Sequence, residues 1–356
     1  MNYKTSAISY KLLLTIGSSI ALYCGLLLWG GKVARSQEKA IFITPSDGFV
    51  KHSRNLSPTS ETLAQHPEAD RLWYEGLQLW GQGMLEDGWE QGLQWVQVWS
   101  PRTVEVFKQA IEKWEAARQL YHAAGMLAKE AETLYMIGVV YENLGEAQQA
   151  LNYYHQVRSL RQETGDRVGE GIALTIIGRV YNRLEEKQQA LNYYNQALVL
   201  YRETGDLSGE ALSLGNIGRV YSSLGEKPKA LDYLNQALML QRELGDPAGK
   251  ALIFKDIFAI YSELGEKPDR GDLNEALVAI DELLTIIEDV RTQIGDANLR
   301  TSYFTSVQHH YQFKIDVLML LHQQQPDKGY NTTALETNER GRARTLLELL
   351  NEADTD

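Results

Sequence analysis

The sequence predicts an all-α fold, a right-handed α-solenoid of antiparallel helix pairs with a C-terminal helical extension. Equivalent residues recur every 40 positions, and a period of this size indicates stacked structural repeats. Within each copy the apolar residues follow three- and four-residue steps, as on one face of a helix. The recurring residues are Gly125, Gly165, Gly205 and Gly245, then Tyr141, Tyr181, Tyr221 and Tyr261, and Ala150, Ala190 and Ala230.

The copy from Gly209 to Asp246 shows why each unit becomes two helices. Its first helix has an apolar stripe made of Leu212, Leu214, Ile217, Val220, Tyr221 and Leu224. We expect Gly225 to end this helix in a left-handed conformation, and Pro228 to lie in the first turn of the second helix. Asp246 should cap the following unit. Small residues predict close approach of the paired helices at Gly178, Ala197, Gly218 and Ala237.

We predict four segments along the chain. They are a signal peptide or transmembrane anchor at 1–36, a flexible linker at 37–67, the solenoid at 68–290 and a helical connector at 297–356. The solenoid has clear copies at about 125–164, 165–204, 205–244 and 245–290, and a degenerate first copy at 68–124 that contains an insert at 83–103. Three tryptophans in the insert, Trp89, Trp95 and Trp99, are expected to cover the end of the solenoid, or alternatively to form an aromatic ligand box.

The N-terminal segment is expected to enter a membrane. Leu12 to Gly30 is a run of 19 residues without a charge, and Lys4 and Lys11 precede it. Cleavage after Ser36 would make the protein exported, whether periplasmic or secreted. Because the run approaches the length that spans a bilayer, an uncleaved membrane anchor is an equal alternative.

Composition excludes several functions. With 47 acidic and 35 basic residues, the net charge of −12 disfavours nucleic acid and anionic lipid. Cys24 is the single cysteine, so an intrachain disulfide or a cysteine-ligated zinc site cannot form. His309 and His310 are adjacent on a predicted helix and their side chains diverge, unlike a metal-binding pair. We therefore expect no catalysis, no metal and no cofactor.

The segment from Ala211 to Leu240, "ALSLGNIGRVYSSLGEKPKALDYLNQALML", resembles the tetratricopeptide repeat. The residues that carry this resemblance are Leu214, Ile217, Gly218, Tyr221, Ala230, Leu234 and Ala237. The usual unit of the family has 34 residues, so the 40-residue spacing is similar to the longer kinesin-light-chain type. Three departures occur: Glu185 replaces the turn glycine, Phe258 replaces the small residue at the helix crossing, and six residues are added around Asp269 to Asn274.

The segment from Leu299 to Leu350 is similar to the connector that joins such repeats to a caspase-like CHAT protease domain in cyanobacterial proteins. We expect two helices here, Leu299 to about Gln324 and about Thr333 to Leu350. The chain ends where the protease domain of that family would begin, so its catalytic residues are not expected here. A separately encoded CHAT subunit is then an expected partner.

The first helices of stacked pairs are expected to line a concave groove that binds a peptide or a partner protein. Resemblance to peptide-binding members of the family indicates the residues Arg179, Asn182, Arg183, Asn216, Arg219 and Lys255. Their basic and amide side chains suit an acidic or C-terminal carboxylate segment. Alternatively, Arg179 and Arg219 bridge to acidic side chains on neighbouring helices, and the groove is an ordinary hydrated surface. The predicted function is a non-catalytic scaffold or adaptor; the alternative is the regulatory half of a split or truncated CHAT protease.

Overall fold

The computed structural model describes residues 66–87, 99–293 and 297–353. Within these ranges the chain forms α-helices and one short 3₁₀ helix, and no β-strand occurs. The helices are α1 (Pro67–Asp87), α2 (Pro101–Ala123), α3 (Leu127–Asn143), α4 (Ala147–Glu163), α5 (Arg167–Arg183), α6 (Lys187–Thr204), α7 (Leu207–Ser223), α8 (Lys227–Leu244), α9 (Pro247–Leu264), α10 (Arg270–Gln293), α11 (Ala297–Gln324), the 3₁₀ helix (Pro326–Lys328) and α12 (Tyr330–Ala353).

The chain divides into two compact units, and the boundary lies between Tyr233 and Leu234. In the unit that precedes this boundary, each helix from α1 to α6 packs against the next helix along the chain, up to α7. In the unit that follows it, α9 packs against α10, α10 against α11, and α11 against α12. Successive antiparallel helix pairs confirm the predicted all-α solenoid fold.

Glycine and aspartate set the ends of the repeated helices. Gly225 has a φ of 78°, which confirms the predicted left-handed end of α7. Asp246 accepts a hydrogen bond from the Ala248 amide over 3.1 Å and so caps α9, as expected. Asp166 and Asp206 cap α5 and α7 in the same way.

A tyrosine ring lies over the glycine at the helix crossing. A Cβ on Gly178 would lie 2.9 Å from the ring of Tyr194, and one on Gly138 would lie equally close to Tyr154 Cδ1. Both rings are buried. The glycine therefore makes room for an aromatic side chain of the second helix, which is a more specific role than the close approach of helix axes expected from the sequence.

Tyr153 and Tyr193, which directly precede Tyr154 and Tyr194 in the sequence, have a different role. Tyr153 stacks on Tyr141 with ring centroids 5.4 Å apart, and Tyr193 stacks on Tyr181 at 5.3 Å. These rings are partly exposed at the edge of the helix pair. Each repeat thus uses its aromatic residues to hold its own two helices together.

Leu224 was expected on the buried stripe of α7, and this expectation is wrong. Its side chain is 45% exposed. Leu224 is the C-cap residue and keeps a helical backbone, with a φ of −80° and a ψ of −3°, so it is exposed because the end of α7 and the turn around it are exposed, and not because the period changes.

Phe258, which replaces the small residue at the crossing, packs against the C-terminal extension. Its ring lies 5.6 Å from Phe254 on the same helix and 6.0 Å from Phe313 on α11, centroid to centroid. The departure from the repeat pattern therefore coincides with an aromatic contact between α9 and α11.

The degenerate first copy forms a helix pair in which α1 extends beyond the expected start of the insert. Gly83 lies within this helix, and a Cβ there would be 2.6 Å from Phe107, so glycine is the residue that fits at this contact. Trp99 packs edge-to-face on Phe107 and donates from Nε1 to the Asn143 carbonyl over 2.6 Å. Trp89 and Trp95 lie outside the described residues.

The predicted membrane segment and most of the predicted linker also lie outside the described residues. Among the helices that the structure describes, none combines the length and the apolar character needed to cross a bilayer. The choice between a signal peptide and an anchor at 1–36 therefore stays a prediction.

Glu185 is expected to destabilise the turn between α5 and α6. Its φ is 62°, whereas the equivalent positions are glycines, Gly145 and Gly225, with similar positive φ. A left-handed conformation costs a residue with a Cβ about 1–2 kcal/mol. Glu185→Gly should therefore raise the free energy of unfolding by about 0.5–1 kcal/mol, after the greater entropy of glycine in the unfolded chain is subtracted. Urea denaturation measures this; equal or lower stability of the variant would contradict the strain.

Candidate functional site

The candidate site lies on the first helices of three successive pairs, α3, α5 and α7. We call this the first-helix surface. Five of the six predicted binding residues lie on it: Arg179, Asn182 and Arg183 on α5, and Asn216 and Arg219 on α7. The sixth, Lys255, lies on α9 in the other compact unit.

Glu142 is the centre of this surface, although the sequence did not single it out. Its side chain is only 7% exposed. Arg179 reaches it from the next repeat with both terminal nitrogens, at 2.7 Å from Nη1 to Oε1 and 3.2 Å from Nη2 to Oε2. Arg183 donates to the same Oε1 through Nη1. We call these residues, together with Tyr154, the Glu142 cluster.

Tyr154 completes the cluster from the second helix of the same pair. Its hydroxyl donates to Glu142 Oε2 over 2.9 Å. Burial raises the pKa of Tyr154 well above its usual range, and the negative charge of Glu142 adds to this effect. The hydroxyl therefore keeps its proton at neutral pH and remains a donor to the carboxylate.

The two arginines of the cluster differ in exposure. Arg179 is 11% exposed and forms a paired hydrogen bond with Glu142, which is the bridging alternative that the sequence left open for this residue. Arg183 is 40% exposed while it contacts the same carboxylate. Arg183 is therefore the guanidinium of the cluster that solvent, or a partner, can reach.

The two asparagines bond to basic side chains of the chain itself. Asn182 accepts from Lys187 Nζ, at 2.9 Å through its side-chain oxygen and 3.1 Å through its carbonyl. Asn216 is buried and accepts from Arg219 over 2.5 Å. Both side-chain oxygens are thus used within the repeat, and these residues shape the surface more than they reach out from it.

A second set of buried carboxylates joins consecutive repeats away from this cluster. Glu170 on α5 accepts from Gln162 over 2.5 Å and lies 3.8 Å from Arg158, both on the preceding helix α4. Glu130 meets Arg118 and His122 of α2 in the same register. Such ion pairs link each second helix to the following first helix.

In the unit that follows Tyr233, Lys250 occupies the position that corresponds to Glu130 and Glu170 in the earlier repeats. The ion pair of the preceding second helix therefore changes. Arg242 on α8 turns to Glu275 on α10, with 2.7 Å between Nη2 and Oε2. Its hydrogen bonds hold the pKa of Glu275 below the ordinary value. Arg242 therefore pairs with a carboxylate two helices later in the chain, and not with one on the next helix as Arg158 does.

Lys255 is exposed on α9 and contributes to the electrostatics around His310 on α11. Burial, together with the charges of His309 and Lys255, lowers the pKa of His310 to about 3. Since solvent-exposed histidine titrates near 6.5, the folded protein keeps this ring neutral where the unfolded chain is protonated.

Acid is therefore expected to destabilise the unit that contains His310. Between about pH 6.5 and pH 3 the unfolded chain binds more protons than the folded one, so stability decreases as the pH falls through this window. We expect the midpoint temperature of thermal unfolding to be lower at roughly pH 4.5 than at roughly pH 7. His310→Gln should reduce this difference, because glutamine does not titrate. An identical pH dependence in the variant would contradict the assignment.

In the described part of the chain, His, Cys, Asp and Glu form no group of three or more that could hold a metal ion. The chemistry of the first-helix surface is instead that of hydrogen bonding and charge: guanidinium donors, a buried carboxylate and a phenol. These groups can recognise an anion. They do not form a nucleophile–base pair.

The repeat pattern agrees with a known family. Residues 129–203 and 188–243, which extend from α3 to α8, match the tetratricopeptide repeat. No relative among the curated proteins matches this chain.

Several solved structures are similar to this chain. BtubC (BKLC) from P. vanneervenii is 18% identical, with 68% of this chain and 91% of that chain covered and a TM-score of 0.48. The TPR-like repeats of a kinesin-light-chain-like protein from Podosopora anserina are 14% identical, with coverages of 64% and 99% and a TM-score of 0.42. A Rap protein complexed with Competence and Sporulation Factor is 18% identical, with coverages of 79% and 76% and a TM-score of 0.41.

Because these TM-scores lie below 0.5, the assignment depends on the sequence match and on the repeated helix pairs themselves. The matched residues and the repeated helix pairs coincide from α3 to α8. Glycine, tyrosine and alanine recur in these helices at a spacing of 40 residues. Residues 129–243 of this chain therefore match the tetratricopeptide repeat, and the described structure forms successive helix pairs over the same residues.

Proposed function

We propose that this chain is a non-catalytic scaffold that binds an acidic peptide segment of a partner protein on its first-helix surface. Tetratricopeptide repeats typically bind protein or peptide partners and are typically non-catalytic. The observation that carries the proposal is Arg183, a guanidinium that is 40% exposed and is held in place by a buried carboxylate. A fixed guanidinium recognises a carboxylate with paired hydrogen bonds at low entropic cost.

The charge of the cluster supports an anionic partner. Two arginines face one glutamate, so the cluster as defined by these residues carries a net positive charge. It lies in a protein whose net charge is −12. An acidic peptide is therefore repelled by most of the protein and attracted at this place, which favours one mode of binding over many.

Arg183→Ala is expected to weaken binding of an acidic peptide about tenfold, the loss of one charge-assisted contact at a partly exposed site. The probe is fluorescein-labelled hexaglutamate, measured by fluorescence anisotropy at low salt. A free and an amidated C-terminus distinguish a terminal carboxylate from side-chain carboxylates as the recognised group.

Arg202→Ala is the matched control. Arg202 is 51% exposed and also pairs with a glutamate, Glu210, but it lies on the second helix α6. Equal weakening by both variants would show that general charge, and not the first-helix surface, attracts the peptide. Adding Arg179→Ala, Asn216→Ala and Arg219→Ala in a pull-down extends the test; capture that is undiminished by these changes would reject the surface as the binding site.

A second candidate is the regulatory half of a split or truncated CHAT protease, for which the partner docks on residues 297–356. It is favoured by the resemblance of the segment from Leu299 to Leu350 to the connector of that family. Co-expression with a CHAT protein encoded by a neighbouring reading frame tests it. Failure to co-purify, or a complex without peptidase activity, would leave the scaffold as the better account.

The predicted N-terminal membrane segment bears on where in the cell the scaffold acts. We propose that residues 1–36 bring the scaffold to a membrane or direct its export, with both alternatives retained. The charge-free run from Leu12 to Gly30 supports this. Comparing the N-terminus of the mature protein with Met1 by mass spectrometry distinguishes cleavage after Ser36 from an uncleaved anchor.

A further inference from the structure

We propose that Glu142 is a built-in competitor of the partner: the chain's own carboxylate occupies the arginine pair and thereby limits the affinity of the first-helix surface for acidic peptides. This inference rests on the proposed function and names its regulation. It gives a functional role to a residue that belongs to no predicted site.

The geometry is that of a carboxylate-binding site that is filled from inside. Arg179 grips both oxygens of Glu142, Tyr154 donates to one of them, and Arg183 donates to the other. A paired guanidinium with further donors on the same carboxylate is the arrangement that recognises an acidic ligand. Here the ligand is the side chain at the end of α3.

Comparison with the equivalent positions of the later repeats indicates that a glutamate here is particular to the repeat that contains Glu142. The equivalent residues of the later copies, each 40 positions further, are Asn182, Ser222 and Ser262. None of these carries a charge, and yet α7 has Arg219 in the register of Arg179. The helix pair folds without a carboxylate at this position, so the repeat itself does not require Glu142.

Competition follows from the shared donors. While Arg179 and Arg183 donate to Glu142, the net charge offered to a partner is one unit instead of two, and Arg179 is almost covered. Removing the negative charge of Glu142 adds one unit of attraction for every peptide carboxylate within several ångström. At an effective dielectric constant between that of a protein surface and that of water, this corresponds to roughly tenfold in affinity.

A purely structural role predicts a different result. If Glu142 only joins α3 to α5, its loss lowers stability and leaves binding unchanged or weaker, because Arg183 loses its support. If Glu142 competes with the partner, its loss lowers stability and strengthens binding. The two measurements then change in opposite directions, and this is the feature to test.

The experiment uses the full chain with fluorescein-labelled hexaglutamate at low salt and compares wild type with Glu142→Gln. We expect the variant to bind about tenfold more tightly and to unfold at a lower temperature. Glu170→Gln is the matched control: Glu170 is 6% exposed and also lies on a first helix, but its partners are Gln162 and Arg158 on α4 and Arg167 at the start of α5, and none of them belongs to the Glu142 cluster. It should lower the unfolding temperature without changing the affinity.

Each outcome separates this inference from the proposed function. If wild type does not bind hexaglutamate, the proposed function is wrong. If it binds and Arg183→Ala weakens binding, but Glu142→Gln binds no more tightly than wild type, the scaffold remains and the competitor role of Glu142 is wrong.

Should Glu142→Gln fail to fold, Glu142→Ser tests the same idea. Serine is the residue at this position in two later copies, at 222 and 262, and the substitution removes the same negative charge, so the peptide should again bind roughly tenfold more tightly. Unchanged or weaker binding by this folded variant would overturn the inference.

Discussion

Replacing Trp114 with alanine is expected to lower the free energy of unfolding by about 3–5 kcal/mol, as for other fully buried aromatic residues. Trp114 on α2 has no exposed surface. Its ring lies against Gly76 on α1, where an added Cβ would be 2.6 Å from Nε1, and this Nε1 donates to the Trp73 carbonyl over 3.0 Å. The variant loses the packing of the first helix pair and the side-chain hydrogen bond to the Trp73 carbonyl.

Trp114→Phe serves as the control for this experiment. It keeps an aromatic ring over Gly76 but cannot donate the hydrogen bond, so it should lose about 1–3 kcal/mol. Urea denaturation followed by circular dichroism measures both variants. A loss below about 1 kcal/mol for Trp114→Ala would mean that the first pair contributes little to the fold.

Trp114 also shows what the sequence could predict. Its register matches that of Tyr154 and Tyr194, forty and eighty residues later, and all three rings lie over a helical glycine. Because apolar side chains and glycines repeat with the helical period, the helix pairs, their caps and their turns were predictable from local pattern alone. Leu224 shows the limit, since the period places it on the apolar stripe although the end of α7 around it is exposed.

The candidate site was less predictable than the fold. Arg179 and Arg183 were predicted on the first-helix surface, but Glu142, to which both are bonded, lies 37 and 41 residues away along the chain. Helical periodicity assigns a residue to a face; it does not pair charges between repeats. One signal was present: Glu142 is the single charge in a register otherwise occupied by Asn182, Ser222 and Ser262. A charge that appears once in a repeated polar position indicates a partner in the adjacent copy.

Gly209→Ala is expected to lower the free energy of unfolding by about 2–3 kcal/mol, although alanine is the better helix former. A Cβ on Gly209 would lie 2.6 Å from Tyr201 Cγ and even closer to two further ring carbons. Tyr201 has no exposed surface and also lies against Gly171, so its ring has no free direction in which to move. The close packing of this interior turns the addition of one methyl group into strain.

Gly249→Ala is the matched control, because it occupies the same position one repeat later. There the added Cβ would contact the amide end of Gln241, which is buried but flexible, and the carboxylate of Asp246, which caps α9. We expect Gly249→Ala to lose less stability than Gly209→Ala, by about 1 kcal/mol or more, because an unbranched amide side chain can change rotamer where a buried aromatic ring cannot, and alanine adds helix propensity. Equal losses in the two variants would show that both glycines are needed for the backbone and not for the ring.

A double-mutant cycle isolates the contact itself. Tyr201→Ala alone loses the buried ring, but in that background Gly209→Ala meets no obstacle and should cost little or even stabilise α7. The coupling between the two positions should therefore be about 2–3 kcal/mol in size. Additive losses would mean that the methyl group on residue 209 acts through something other than Tyr201, and the glycine–aromatic contact would then not be what fixes the packing of α6 on α7.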